Sequence, residues 1–182
     1  MTGRLKDLYR LQGGEWLMSF TTREDPGQMF DDLKDQAVKI DIKKASTNPK
    51  VLKLIARLMA ENLKSTGLKV DRIAGVVLGS VPLAAALALE TGIPYVMIRK
   101  EKKDHGTGKL IEGELNSGDS VLVVEDVITS AGSSMKAIET LRAEGAKVEN
   151  VFSVIDREAG GADNLASIGV KLLPLVRASE LL

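Results

Sequence analysis

Cysteine is absent from the chain, which removes disulfides, thiol nucleophiles and thiolate metal sites from consideration. Histidine occurs once, at His105, too few for a histidine-built zinc centre. Neither sign of charge is in excess: 25 Lys and Arg stand against 25 Asp and Glu. A protein built to hold nucleic acid usually carries a basic surplus, so no nucleic-acid partner is expected. No apolar run reaches the ~20 residues of a membrane span, and the opening MTGRLKDLYR has no hydrophobic signal core. The expected compartment is the cytoplasm, with no membrane partner. Aromatic residues are scarce at 3%, so the interior has to be filled with aliphatic side chains.

What is present suits a soluble globular protein. The 182 residues are 44% hydrophobic and 27% charged, long enough for one domain with a real core. Leu5, Leu8 and Tyr9 predict a short first helix ended near Gly13 and Gly14, and the polar stretch 21–35 reads as loop. A second helix has clear limits. Asn48 can cap it and Pro49 suits its first turn, Val51, Leu52, Ile55, Leu58 and Met59 form its apolar face, and Gly67 stops it. After that, short apolar runs alternate with helical patterns. Strands are expected at 73–78, 95–98, 121–124, 151–155 and 170–173, with helices at 82–90, 133–143 and near Leu165. Strands this apolar, separated by helices, indicate an α/β fold with a mostly parallel sheet flanked by helices on both faces. The chain 1–182 reads as a single domain. Residues 1–47 form an N-terminal helix and a small hood region, and 48–182 form the core.

Two segments carry chemistry. In VLVVEDVITSAGSS (121–134) a buried strand delivers Glu125 and Asp126 to its C-terminal end, where ligands of open parallel sheets bind. The small, hydroxyl-rich run Thr129, Ser130, Ala131, Gly132 and Ser133 then enters a helix. Free N–H groups and the helix dipole make such a turn a phosphate cradle. Carboxylates beside it suit a ligand with vicinal hydroxyls as well as a phosphate, such as a ribose 5-phosphate. The plainer alternative is that Asp126 begins a turn and Ser133 or Ser134 caps a helix. The second segment, RKEKKDHGTGK (99–109), holds five cationic side chains and the single histidine, followed by two glycines. A cationic arm of this kind can close over a polyphosphate; the alternative is a solvated connection balanced by Glu101 and Asp104. It is not a P-loop: Lys103 stands where the first glycine is required, and Leu110 where Ser or Thr is.

Segment 99–113, RKEKKDHGTGKLIEG, closely resembles the catalytic loop of orotate phosphoribosyltransferases, and 121–134 resembles the phosphoribosyl pyrophosphate motif of the wider type I phosphoribosyltransferase family. The Lys-x-x-Lys-x-His pattern is the part that selects orotate enzymes. Further likeness runs through IDIKKAST (40–47), LGSVPLA (78–84) and IDRE (155–158). The resemblance implies transfer of a phosphoribosyl group to orotate, giving orotidine 5′-phosphate and pyrophosphate in pyrimidine biosynthesis. It assigns Arg99, Lys100, Lys103 and His105 to the pyrophosphate, and Glu125 and Asp126 to the ribose hydroxyls. Val127 and Ile128 continue that stretch, Thr129 to Ser133 take the 5-phosphate, and Thr129 and Arg157 meet orotate. Lys103, His105 and Asp126 are the implied catalytic residues.

The resemblance further implies Mg²⁺ carried by the substrate, with no dedicated metal site, and a homodimer whose lids reach the neighbouring subunit's site. The chain departs from the family in two places. FTTREDPGQMF followed by QAVKID lacks the Ser-Gly and the tyrosines of the usual hood, and no lysine follows Gly79-Ser80-Val81 in the pyrophosphate loop. Two other readings stay open: a phosphoribosyltransferase for another base, and a non-enzymatic nucleotide sensor of the same fold.

Overall fold

The computed structural model of the chain describes residues 42–99 and 110–180. The expected first helix, the loop at 21–35 and the hood segment lie outside them. The elements are α1 (Ile42–Ser46), α2 (Pro49–Thr66), β1 (Arg72–Val76), α3 (Val81–Thr91), β2 (Tyr95–Ile98) and β3 (Ile111–Glu112). They continue with β4 (Ser120–Ile128), α4 (Gly132–Ala143), β5 (Lys147–Asp156), α5 (Gly161–Ser167), β6 (Lys171–Arg177) and a 3₁₀ turn at Ala178–Glu180. One six-stranded sheet has the order β3-β2-β1-β4-β5-β6. All neighbours are parallel except β2 and β3.

Helix α2 begins and ends where its sequence directs. Asn48 Oδ1 accepts the Lys50 N–H at 3.0 Å, Pro49 fills the first turn, and Gly67 closes the helix at φ 66°. Val51, Ile55, Met59 and Leu63 recur at the spacing of one helix face, and all are buried. The sheet separates two apolar layers by strict alternation. Along β4, Leu122 and Val124 join Ile42, Ile55, Met59, Ile73, Leu83 and Leu87 on one side. Val121 and Val123 join Ile138, Leu141 and Leu165 on the other. Ile42 and Ala45 of α1 belong to the first layer, so the packed core begins before residue 48.

Several strands differ in extent from the sequence expectation. β1 ends at Val76, and Leu78 lies in the turn beyond it, 77% exposed. β4 continues four residues past Val124, because its ladder with β5 persists through Glu125↔Ser153, Val127↔Ile155 and Ile128↔Asp156. Polar side chains weakened the strand signal there, but backbone pairing is indifferent to them. β6 runs on through Pro174, which is possible because β6 is an edge strand with a side that needs no N–H donor. The antiparallel β3, only two residues long, was not anticipated.

Helix α3 lies unusually close to β1. A β-carbon on Gly75 would come within 2.9 Å of Ala84 Cβ, 3.0 Å of the Ser80 carbonyl oxygen and 3.1 Å of Val81 Cα. Two of these three atoms are backbone, so a side chain at 75 has to push the helix away. Gly75→Ala is expected to destabilise the fold by about 1–3 kcal/mol, read as a lower urea midpoint at unchanged m-value. An unshifted midpoint would show that α3 is not held at this distance by packing.

Candidate active site

Strand order reverses between the neighbours β1 and β4: the connection leaving β1 runs to β2 on one side, and that leaving β4 runs to β5 on the other. A crevice opens at the carboxyl ends of strands where this happens. Here it is deepened by unequal strand lengths. Gly75 opposite Val124 is the last pair between β1 and β4, and Glu125 to Ile128 pair with β5 alone. The turn 77–80 occupies the space beside them. The Val77–Leu78 peptide within it is cis.

The two adjacent carboxylates do different things. Glu125 is 5% exposed. Its Oε2 accepts the Ser80 hydroxyl at 2.5 Å and its Oε1 the Ser134 hydroxyl at 2.8 Å. Burial pushes its carboxyl above the ordinary range; the serine hydrogen bonds pull it back, and the charge of Asp126 pushes it up again. Asp126 is half-buried on the crevice side. Its Oδ1 accepts the Val127 N–H at 2.9 Å, and its Oδ2 lies 2.5 Å from where a β-carbon on Gly79 would be. Lys43 Cε lies 2.8 Å from that same point, so a side chain at 79 would have to displace the Asp126 carboxylate and the lysine stem. Lys43, carried on α1, is a site residue that sequence reasoning missed. IDIKKAST marked its neighbourhood, but nothing local shows that α1 folds back across residue 79.

The run expected to cradle a phosphate, 129–133, lies in the turn from β4 into α4. Thr129, Ser130, Gly132 and Ser133 are exposed, whereas Ala131 is buried. Ala131 takes the N-cap position of α4 with φ 61° and makes no side-chain cap bond. A left-handed residue at a helix start turns successive N–H groups toward one point, a concave anion site. α5 supports it: Asn164 Nδ2 donates to the Ser130 carbonyl at 3.0 Å. A β-carbon on Gly161 would collide with Ile128 and the Thr129 backbone.

Arg157 follows β5 directly, and its N–H donates to the Ile128 carbonyl at 2.9 Å. This fixes its backbone beside the end of β4 and the cradle. The next residue, Glu158, is held at φ 56°. Its N–H is bound by Asp156 Oδ1 at 2.9 Å, and its carboxylate accepts the Ser179 N–H at 2.7 Å and the Ser179 hydroxyl at 3.1 Å. These bonds hold the Glu158 carboxyl below its ordinary range. Arg99 directly follows β2, pairs with Glu112 at 3.5 Å, and donates its N–H to the Leu110 carbonyl at 2.8 Å. The two ends of the cationic segment are therefore bonded to each other. Lys100, Lys103 and His105 lie outside the described residues.

Comparison with known proteins gives consistent results. Residues 42–169 match the family model described as the phosphoribosyl transferase domain. The chain is 51% identical over 148 residues to the orotate phosphoribosyltransferase of Pyrococcus abyssi (strain GE5 / Orsay), covering 81% of each protein. Among solved structures it is similar to Mycobacterium tuberculosis H37Rv orotate phosphoribosyltransferase in complex with Fe(III) dicitrate. The TM-score is 0.71 at 31% identity, covering 78% of this chain and 81% of that one. The same enzyme in complex with 5-phospho-α-D-ribosyl 1-diphosphate matches at TM-score 0.74 and 25% identity, over 98% of both chains.

Proposed function

The chain belongs to the orotate phosphoribosyltransferase family, and on that footing we infer that it transfers the 5-phosphoribosyl group of phosphoribosyl pyrophosphate to orotate. The products are orotidine 5′-phosphate and pyrophosphate, and the reaction serves pyrimidine biosynthesis. The reading is supported by one end of the sheet, which carries the left-handed turn at the start of α4, the half-buried Asp126 and the Arg157 backbone bonded to Ile128. The reading is supported by the 51% identity to an orotate enzyme across most of both chains.

In this reading the 5-phosphate sits on the N–H groups from Thr129 to Ser133, and the ribose edge faces Asp126. The bond from sugar carbon 1 to pyrophosphate breaks with its electron pair leaving on the pyrophosphate. Positive charge builds on the ring near Asp126, a fixed negative group that costs no reorganisation at that moment. A ring nitrogen of orotate then supplies the pair for the new C–N bond. Orotate is acidic at its ring nitrogens, so a strong protein base is not required. Arg99, Lys100, Lys103 and His105 neutralise the departing pyrophosphate. Thr129 and Arg157 orient orotate, with the guanidinium matched to its carboxylate. Mg²⁺ is bound by hard oxygens, commonly one or two carboxylates together with substrate phosphates. Asp126 fits that carboxylate role, and the ion when bound supplies further charge neutralisation on the diphosphate.

Orotate consumption, followed as loss of its ultraviolet absorbance, is expected to require both phosphoribosyl pyrophosphate and Mg²⁺. Turnover of a purine base with none of orotate would replace the substrate assignment. Arg157→Ala is expected to raise the KM for orotate tens- to hundredfold and that for phosphoribosyl pyrophosphate far less. This corresponds to losing a partly shielded charge-assisted pair worth on the order of 2–3 kcal/mol. Equal effects on both constants would remove Arg157 from the carboxylate site.

The active assembly in this reading is a homodimer in which each lid serves the neighbouring subunit. Leu78 and Leu89, 77% and 89% exposed, are apolar side chains that a second subunit would cover. Lys103→Ala and Asp126→Asn homodimers should each be nearly inactive. A mixed dimer has one whole site, formed by the intact body of one subunit and the intact lid of the other. Random exchange makes about half the dimers mixed, so activity should return to about a quarter of wild type. Verified mixed dimers without regained turnover would rule out a shared site.

A further inference from the structure

Glu125 is a charged group in a place where charge is costly. Removing a carboxylate from water is unfavourable unless its oxygens are met by donors. Here each oxygen is met once, by hydroxyls that are themselves sealed from solvent: Ser80 is 1% exposed and Ser134 0%. An aliphatic residue of similar size would fill the same volume without that cost. What it would not do is bind two elements from different parts of the chain. Ser80 closes the turn 77–80 and starts α3, and Ser134 lies in the first turn of α4. Each helix start adjoins one of the two anion-binding segments of the crevice.

Ser80 shows which interaction is preferred. It holds the N-cap position of α3, where a serine hydroxyl ordinarily accepts an N–H from the first turn. It makes no such bond and instead donates to Glu125. The carboxylate thereby fixes where the turn 77–80 stands relative to α4 without blocking the start of either helix. Asp126, by contrast, is turned to the crevice.

We propose that Glu125 is a positioning residue: a strut that, through Ser80 and Ser134, sets the separation of the pyrophosphate turn and the phosphate cradle. The proposal rests on the phosphoribosyl pyrophosphate reading, because it concerns the one ligand that spans both segments. Such a ligand gains from having both of its ends placed at once only if the two subsites stand at the right distance. A fragment that occupies one subsite is insensitive to that distance.

The test is titration calorimetry in Mg²⁺ buffer with three ligands: phosphoribosyl pyrophosphate, ribose 5-phosphate and inorganic pyrophosphate. Ser80→Ala, Ser134→Ala and Glu125→Gln are compared with wild type, each with a thermal melt. Each variant is expected to bind phosphoribosyl pyrophosphate about tenfold or more weakly, through lost preorganisation. In the two serine variants, affinity for either fragment should change by less than about threefold. The two serine variants keep the result readable should Glu125→Gln fail to fold. If Glu125→Gln weakened ribose 5-phosphate as much as phosphoribosyl pyrophosphate while the serine variants changed neither, Glu125 would be a ribose ligand and the strut would be wrong. Unchanged phosphoribosyl pyrophosphate affinity in all three variants would also overturn it. Wild-type protein binding none of the three ligands would instead bring down the functional reading, and the inference with it.

Discussion

The ladder between β4 and β5 runs on past the last pair of β1 with β4, and the placement of the site follows from it. Because Glu125 to Ile128 remain strand after β1 has ended, they project as a ledge with β5 on one side and the turn 77–80 on the other. The cradle begins where that ledge stops, and Arg157 begins where the partner strand stops. A shorter ladder would release all three at once. The extension is held by buried aliphatic side chains at Ile128, Val154 and Ile155, so the precision of the site is drawn from ordinary core packing.

On this ledge, alternation does chemical work. Consecutive side chains of a strand leave in different directions, so an adjacent acid pair cannot offer both carboxylates equally to one ligand. Glu125 is taken up by two serines and Asp126 is left to the crevice. The inward group feels its surroundings as a penalty on its charge, reinforced by the neighbouring Asp126 and relieved by hydroxyl donors. The sign has a consequence for the fold. A carboxyl whose native proton affinity exceeds its unfolded one contributes less stability as pH rises through the raised range.

Much of this was legible in the residues, though unevenly. Asn48, Pro49 and Gly67 mark the limits of α2 because capping is decided locally, by a side-chain oxygen, a ring and a missing β-carbon. The small-residue turn into α4 was equally readable as a turn, though the φ 61° of Ala131 was not. The reach of β4 was not, because hydrophobicity was the signal and the polar pair interrupted it. The inward turn of Glu125 depends on Ser80, 45 residues away in sequence. Lys43 meets Gly79 only through the docking of α1, a tertiary event with no local trace. The pairing of Arg99 with Glu112 likewise needed β3, which is too short to announce itself.

The two margins of the sheet also bear on how molecules of this protein meet in solution. An open strand margin is a row of unused donors and acceptors on which another chain can crystallise its own backbone. Among the described residues, one margin is a strand of two residues, too brief to act as a template, and the other is interrupted by Pro174. Lateral growth of the sheet from molecule to molecule is thereby discouraged at both ends. Contact between copies is left to side chains, which can recognise a specific partner surface where bare backbone would accept almost any strand.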